Sequence, residues 1–149
     1  MYDKILVPLD GSQRAEAIFP HVEELALRFE AKVVFVQVVE PAPLVTAAES
    51  AYMNIRRADF ERRTKEAESY LAVQQGKFRS LGIEVESRVV FGPVVEAIIK
   101  VAGQVGADLI ALASHGRSGL SQVFYGSVAA GLLQRVSRPL LLVRARDGQ

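Results

Sequence analysis

The sequence predicts an α/β fold: one doubly wound, five-stranded parallel sheet in the order 3-2-1-4-5, with helices on both faces. Three observations lead there. Short apolar, β-branched-rich runs alternate with helical patterns, so the elements read β-α-β-α-β-α-β-α-β. The runs are apolar at consecutive positions, as in Ile5-Leu6-Val7 and Leu140-Leu141-Leu142-Val143, which marks strands buried on both faces. Right-handed crossovers leave few ways to arrange such strands, and the doubly wound order makes the first and fourth neighbours.

The first strand is expected over Lys4 to Leu9, closing in the turn Pro8-Leu9-Asp10-Gly11-Ser12. A helix follows, because Ala15, Ile18, Val22, Leu25, Ala26 and Phe29 recur at three- and four-residue spacing. His21 on this helix is read as a partly buried structural residue. The second strand spans Lys32 to Val39, and Pro41-Ala-Pro43 marks the loop after it. Thr46-Ala-Ala-Glu49 resembles a capping box, opening a long helix whose stripe runs through Phe60, Thr64, Ala67, Leu71 and Phe78 toward Gly82. Its other face is charged, with Asp59 and Arg63, and Glu61 and Lys65, at i,i+4 spacing worth about 0.3 kcal/mol each. Arg56, Arg57, Arg62 and Arg63 read as a solvated face rather than a nucleic-acid patch.

The third strand is expected over Val85 to Val90. A helix then starts at Pro93, carries Val94, Ile98, Ala102 and Val105, and stops at Gly106. The fourth strand is placed at Asp108 to Ala113. The last helix begins near Gly126-Ser127 with Val128, Leu132, Leu133 and Val136 turned inward, and Pro139 to Arg144 forms the fifth strand. The arrangement is Rossmann-like.

A chain of 149 residues is expected to be a single domain, 1–149, able to bury about two thirds of its unfolded surface. No apolar run approaches the roughly 20 residues of a membrane span, and no signal peptide follows Met1, so a soluble, cytoplasmic protein is expected. With no cysteine and only His21 and His115, zinc and iron–sulfur chemistry is disfavoured. A formal net charge of +1, with both signs mixed along the chain, speaks against nucleic acid or anionic lipid as partner.

The segment from Leu112 to Ser127 has the grammar of a phosphate-binding turn: the end of a buried strand, a Gly-rich loop and a helix start. Gly116 and Gly119 let backbone N–H groups approach an anion, and Ser127 adds a hydroxyl at a helix N-terminus. The doubly wound order brings this segment beside Asp10, at the crevice where such sheets hold ligands. Asp10 there has three readings: an acceptor for ribose hydroxyls, a magnesium ligand, or a cap of the first helix together with Ser12. Capping alone also accounts for Gly126-Ser127. The sequence lacks the G-x-x-x-x-G-K-[ST] of P-loop ATPases and the G-x-G-x-x-G of dinucleotide sites. It also lacks the acidic cluster of a phosphoacceptor domain. His115 has no evident triad partner and is read as a loop-ordering or ligand-lining residue.

On these residues the chain resembles the universal stress protein family. Ile5-Leu6-Val7-Pro8-Leu9-Asp10-Gly11-Ser12, Ser114-His115-Gly116-Arg117-Ser118-Gly119-Leu120 followed by Gly126-Ser127, and Arg138-Pro139-Leu140-Leu141-Leu142-Val143 carry the resemblance. It implies an adenine nucleotide α-hydrolase-like fold and ATP binding; magnesium with the ATP rests on the magnesium reading of Asp10 above, not on the resemblance. The family's G-x2-G-x9-G-[ST] pattern falls on Ala113, Gly116, Gly126 and Ser127, so Ala113 stands where the first glycine is expected. An Ala there is costly only if the backbone needs positive φ; in an extended strand end its methyl merely narrows the crevice. The resemblance further implies that Pro8, Asp10 and Val38 flank the adenosine, with Val38 bonding adenine through its backbone. Leu112, Gly116, Gly126, Ser127 and Val128 would line ribose and phosphates, with Arg117 and Ser118 as additional phosphate contacts.

Homodimerisation through the last strand is implied as well, and the strand order supports it by leaving Pro139 to Arg144 at an apolar edge. The function expected is a dimeric, nucleotide-dependent stress-response regulator with slow or absent hydrolysis and unknown protein partners. The alternative is an interaction protein of the same family without nucleotide binding.

Overall fold

The structure, a computed structural model, describes residues 1–41, 50–115 and 126–145. Strand β1 (Lys4–Leu9) lies at the centre of the sheet because both of its faces are apolar: Ile5, Leu6 and Val7 are all fully buried. It pairs in parallel with β2 (Lys32–Val39) on one side and β4 (Leu109–His115) on the other. Outside these lie β3 (Val85–Phe91) and β5 (Leu140–Ala145), giving the order β3-β2-β1-β4-β5 that the sequence predicts. Observed strand limits run one or two residues beyond the sequence expectation at the carboxyl ends of β3, β4 and β5, where pairing continues past the apolar run through Phe91, His115 and Ala145.

Alternate side chains divide the core. Ile5, Val7, Val33 and Phe35 pack with α1 (Phe19–Phe29) and α2 (Ser50–Ser80) on one face. Leu6, Val34, Val36, Ile110 and Leu112 pack with α3 (Val94–Val105) and α4 (Ser127–Arg135) on the other. Gly106 ends α3 in the left-handed region at φ 68°, a conformation glycine adopts without a Cβ penalty.

Four helical expectations need correction. The predicted continuous first helix is a 3-10 turn, Ala15–Ile18, leading into α1. Pro20 sits in the first turn of α1; lacking an N–H and excluding a carbonyl four residues back, it starts a new helix rather than continuing the old one. His21 is exposed rather than partly buried, because it lies about 100° round the helix from the buried Val22. Leu133 likewise points outward, 47% exposed, and Ala129 takes its place beside Leu132. On α2, Asp59 bonds both Arg63 (3.1 Å) and Arg62, and Arg62 also reaches Glu66 at 2.9 Å. The structure shows no Glu61–Lys65 pair among the described residues; Arg62 bridges Asp59 and Glu66 along that face instead. The predicted capping box Thr46 to Glu49 lies outside the described residues. Among the described residues, no helix is long and apolar enough to cross a membrane.

The amino end of the sheet is tied down by polar bonds. Asp108 accepts from the backbone N–H of Asp3 (2.8 Å), Lys4 Nζ donates to the Val105 carbonyl at the end of α3, and Arg138 Nε donates to the Ala107 carbonyl at 2.7 Å. The β3 edge is charged: Lys32 Nζ lies 3.0 Å from Glu86, which also accepts from Arg88 at 2.7 Å. The Lys32 hydrogen bond, followed by that of Arg88, holds the Glu86 carboxyl below its ordinary 4.5. The same bond raises Lys32 above 10.5. Glu86 therefore stabilises the fold above the ordinary carboxylate range, and this contribution is lost as pH falls through its lowered pKa. Seen from Lys32, the bond is intact below 10.5 and is lost as pH rises through the raised value. A Lys32→Met variant is expected to move the Glu86 midpoint upward in a carbon-detected NMR titration; an unmoved midpoint would show that the pair is inert.

Candidate functional site

The carboxyl end of the sheet is open where the amino end is tied. Helix α1 follows β1 on one face and α4 follows β4 on the other, so the chain diverges between these neighbouring strands. A cavity of about 290 Å³ opens at that point. Val36, Val38 and Glu40 enter it from β2 and its end, Pro8, Leu9 and Asp10 from β1, and Leu112, Ala113 and Ser114 from β4. Val94 and Ile98 of α3 form one wall, and Gly126, Ser127 and Val128 at the start of α4 form another.

Eight residues singled out in the sequence thus line one cavity: Pro8, Asp10, Val38, Leu112, Ala113, Gly126, Ser127 and Val128. Gly116, Arg117 and Ser118 lie outside the described residues, as does the side chain of His115. Glu40, Val94 and Ile98 were not anticipated. A period of two from Val36 and Val38 points to Glu40, and i,i+4 spacing joins Val94 to Ile98.

Asp10 braces the turn after β1 rather than capping a helix: the N-cap of the 3-10 turn is Arg14, with no side-chain cap bond. Its Oδ1 accepts from the backbone N–H of Ser12 at 2.9 Å and from the Ser12 hydroxyl at 2.5 Å, and Ser12 Oγ accepts from the Ala15 N–H at 3.2 Å. This chain of bonds fixes the turn that leaves β1 and holds the Asp10 carboxylate at the cavity rim. Ala113 pairs in register with Val143, and its side chain packs against the core cluster on the α1 face. Among the described residues only Glu30 is a non-glycine at positive φ, so Ala113 keeps an extended backbone and carries no left-handed strain.

Gly126 has φ 78° and ψ 157°, a conformation that L side chains rarely adopt, and it turns the chain into α4. Ser127 is the exposed first residue of that helix, whose opening N–H groups have no acceptors within the helix itself. The cavity is therefore graded in charge: carboxylates at its β1 and β2 side, and the positive end of a helix dipole at its α4 side.

A second hollow, about 430 Å³, shares the Asp10 and Val38 rim but opens on the α2 face beside Gln37, Arg63 and Tyr70. The Tyr70 hydroxyl donates to Glu16 Oε2 at 2.8 Å, joining α2 to the 3-10 turn. Burial, then the Glu16 bond, raises the phenol above its ordinary 10.0, with the negative charge of Asp10 adding to the effect. Tyr70 therefore stays neutral and remains a donor at physiological pH.

A parallel doubly wound sheet with a cavity at its switch point defines the class: an α/β protein of Rossmann-like architecture. The family model for the Universal stress protein family matches residues 1–144, and the chain belongs to that family. Universal stress protein MJ0577 of Methanocaldococcus jannaschii is 27% identical, the match covering 99% of this chain and 98% of that one. Its solved structure superposes with a TM-score of 0.84 at 26% identity, covering 99% of both chains. A universal stress protein solved in complex with cAMP shares the fold at TM-score 0.62 and 22% identity, over 97% of this chain and 98% of that one. A family protein from Arabidopsis thaliana solved with AMP bound does so at 0.67 and 15%, over 97% and 93%.

Proposed function

We propose that this protein binds an adenine nucleotide, ATP, in the cavity between β1 and β4 and acts in the cytoplasm as a dimeric, nucleotide-dependent regulator of the stress response. The observation that carries the reading is the charge-graded cavity, with Asp10 on one side and the Gly126-Ser127 helix start on the other. An anion is favoured at the start of α4, where the opening N–H groups, which have no acceptor within the helix, act together with the helix dipole. The apolar middle, formed by Val36, Val38, Val94 and Ile98, suits a nucleoside. The relatives solved with cAMP and AMP support the choice of ligand class.

Ala113 does not oppose this, since its extended backbone and its packing toward α1 leave the α4 wall clear. Magnesium fits only as a bridging ion. Among the described residues no three His, Cys, Asp or Glu side chains gather to hold a metal, so Asp10 would supply one oxygen and the phosphates and water the rest. Bound magnesium would neutralise phosphate charge near the Asp10 carboxylate. We assign the site to binding, with turnover slow or absent, and Asp10, already bonded to Ser12, acts as a ligand contact rather than a base.

Calorimetric titration with ATP, with and without magnesium, and mass spectrometry of nucleotide released from the denatured protein test the reading. Saturable ATP binding is expected, with turnover slow or undetectable. No binding at millimolar ATP would overturn it and favour an interaction protein without nucleotide.

The dimer proposed through β5 rests on the contrast between the two sheet edges. Glu86 and Arg88 mark the β3 edge with charge, whereas Leu140, Leu141, Leu142 and Val143 at β5 are apolar and only half-buried. Two copies pairing these edges would cover them. Leu142→Lys is expected to shift the sedimentation coefficient from that of a dimer to that of a monomer. A wild-type chain that sediments as a monomer would remove the proposal.

A further inference from the structure

The nucleotide reading leaves open how the base is chosen, and the cavity holds a side chain placed for that choice. Along the carboxyl edge of the sheet the order is β2, β1, β4, and the cavity lining follows it: Glu40 and Val38 at the β2 end, Asp10 in the middle, Gly126 and Ser127 at the far side. With adjacent strands about 4.8 Å apart, the span from β2 to β4 is about 10 Å, close to the length of a nucleoside. The orientation is set electrostatically. Phosphates are repelled by the Glu40 carboxylate at the β2 end and attracted by the α4 N-terminus, so the base lies at the β2 end.

We propose that Glu40 selects the base, favouring one that offers an exocyclic amine, as adenine does at C6, over one that presents a carbonyl oxygen there. The proposal rests on the nucleotide reading and deepens it. A carboxylate is an acceptor only; it receives a hydrogen bond from an amine and opposes the lone pairs of a carbonyl. Glu40 is the first residue beyond β2, two after Val38, and it lines this cavity, whereas Gln37 lines the hollow on the α2 side. Val38 offers apolar contact to the ring, and Glu40 the polar discrimination next to it.

Inosine triphosphate isolates the contact, because it differs from ATP in carrying an oxygen and a ring N–H where adenine has its amine and a bare nitrogen. Affinities for ATP and inosine triphosphate are measured by calorimetry in the wild type, Glu40→Gln and Glu40→Ala. Wild type is expected to prefer ATP, and both variants to reduce that preference by about tenfold, Glu40→Gln more so because its amide also donates to the oxygen. Inorganic tripolyphosphate, read by competition, is expected to bind all three with affinities within about twofold, since screened charges about 10 Å apart interact weakly. An unchanged ratio, or an equal loss for both nucleotides, would overturn the role of Glu40 while leaving the nucleotide site standing. A wild type that binds neither nucleotide would instead overturn the nucleotide reading, and this inference with it.

Discussion

Ser127→Tyr is expected to lower ATP affinity at least about a hundredfold while the urea unfolding midpoint stays within experimental error of wild type. Both halves of the expectation come from the place of Ser127. As the exposed first residue of α4 it contributes nothing to the core, so a larger side chain leaves Ala129 and Leu132 packed as before. It also lines the cavity beside Gly126, so a phenol ring there occupies the space in front of the opening N–H groups of the helix. Gly126 is a poorer target for the same purpose. At φ 78° any side chain is strained, and a loss of binding in a Gly126 variant would mix occlusion with distortion of the helix start. Ser127→Ala supplies the control. It removes one hydroxyl without adding bulk, and a loss of no more than about tenfold is expected, the worth of one hydrogen bond. Calorimetry with ATP reads both variants; full affinity in Ser127→Tyr would mean that the ligand sits elsewhere.

The parts of this site that the sequence reveals are those that depend on topology and periodicity. Asp10 and Gly126-Ser127 are more than a hundred residues apart along the chain, yet the strand order alone makes them neighbours, because a doubly wound sheet leaves one crevice between β1 and β4. Consecutive apolar residues reveal that order: Ile5, Leu6 and Val7 have no polar alternation, so helices must cover both faces. Val38 followed by resemblance, and Glu40 then needed only two more residues of the same strand face. In the sequence an exposed carboxylate at a strand end reads as ordinary solvated loop, and only the cavity distinguishes it.

Other features depend on geometry that the pattern of residue types does not carry. The switch from a 3-10 turn to α1 at Phe19 keeps the same inward residues, Ala15, Ile18 and Val22, so periodicity is indifferent to it; Pro20 was the available signal. His21 and Leu133 show the complementary error. Each adjoins a buried residue in sequence, and on a helix adjacent residues face directions about 100° apart. Ala113 turns on backbone conformation. A departure from a motif glycine reads as a possible loss of function, and the pairing of Ala113 with Val143 in an extended strand removes the strain that would have made it one.

Phe35→Ala is expected to destabilise the fold by about 3–5 kcal/mol, about a fifth or more of the stability of a typical domain. Phe35 is fully buried in β2, where it pairs in register with Val7 of β1 and Ser87 of β3. Its ring forms a triangle with Phe78 of α2, centroids 4.9 Å apart, and Phe19 of α1 at 5.7 Å, and Phe19 and Phe78 close the third side at 5.2 Å. Both helices on this face are thus anchored to the sheet through one aromatic cluster, and truncation at its centre leaves a cavity that neither helix can collapse to fill. The effect is specific to the cluster if a double-mutant cycle of Phe35→Leu and Phe78→Leu shows a coupling of about 0.5–1.5 kcal/mol, the range for edge-to-face aromatic pairs. Urea denaturation reads both quantities. The consequence reaches the functional end of the sheet as well: β2 also carries Val36 and Val38 on its opposite face, so a β2 loosened at Phe35 is expected to weaken ATP binding even though Phe35 lies on the far side of the sheet from the α3 and α4 walls of the cavity. ATP affinity that survives a loss of several kcal/mol in stability would show instead that β2 keeps its place in the folded state and that the cluster acts on unfolding alone.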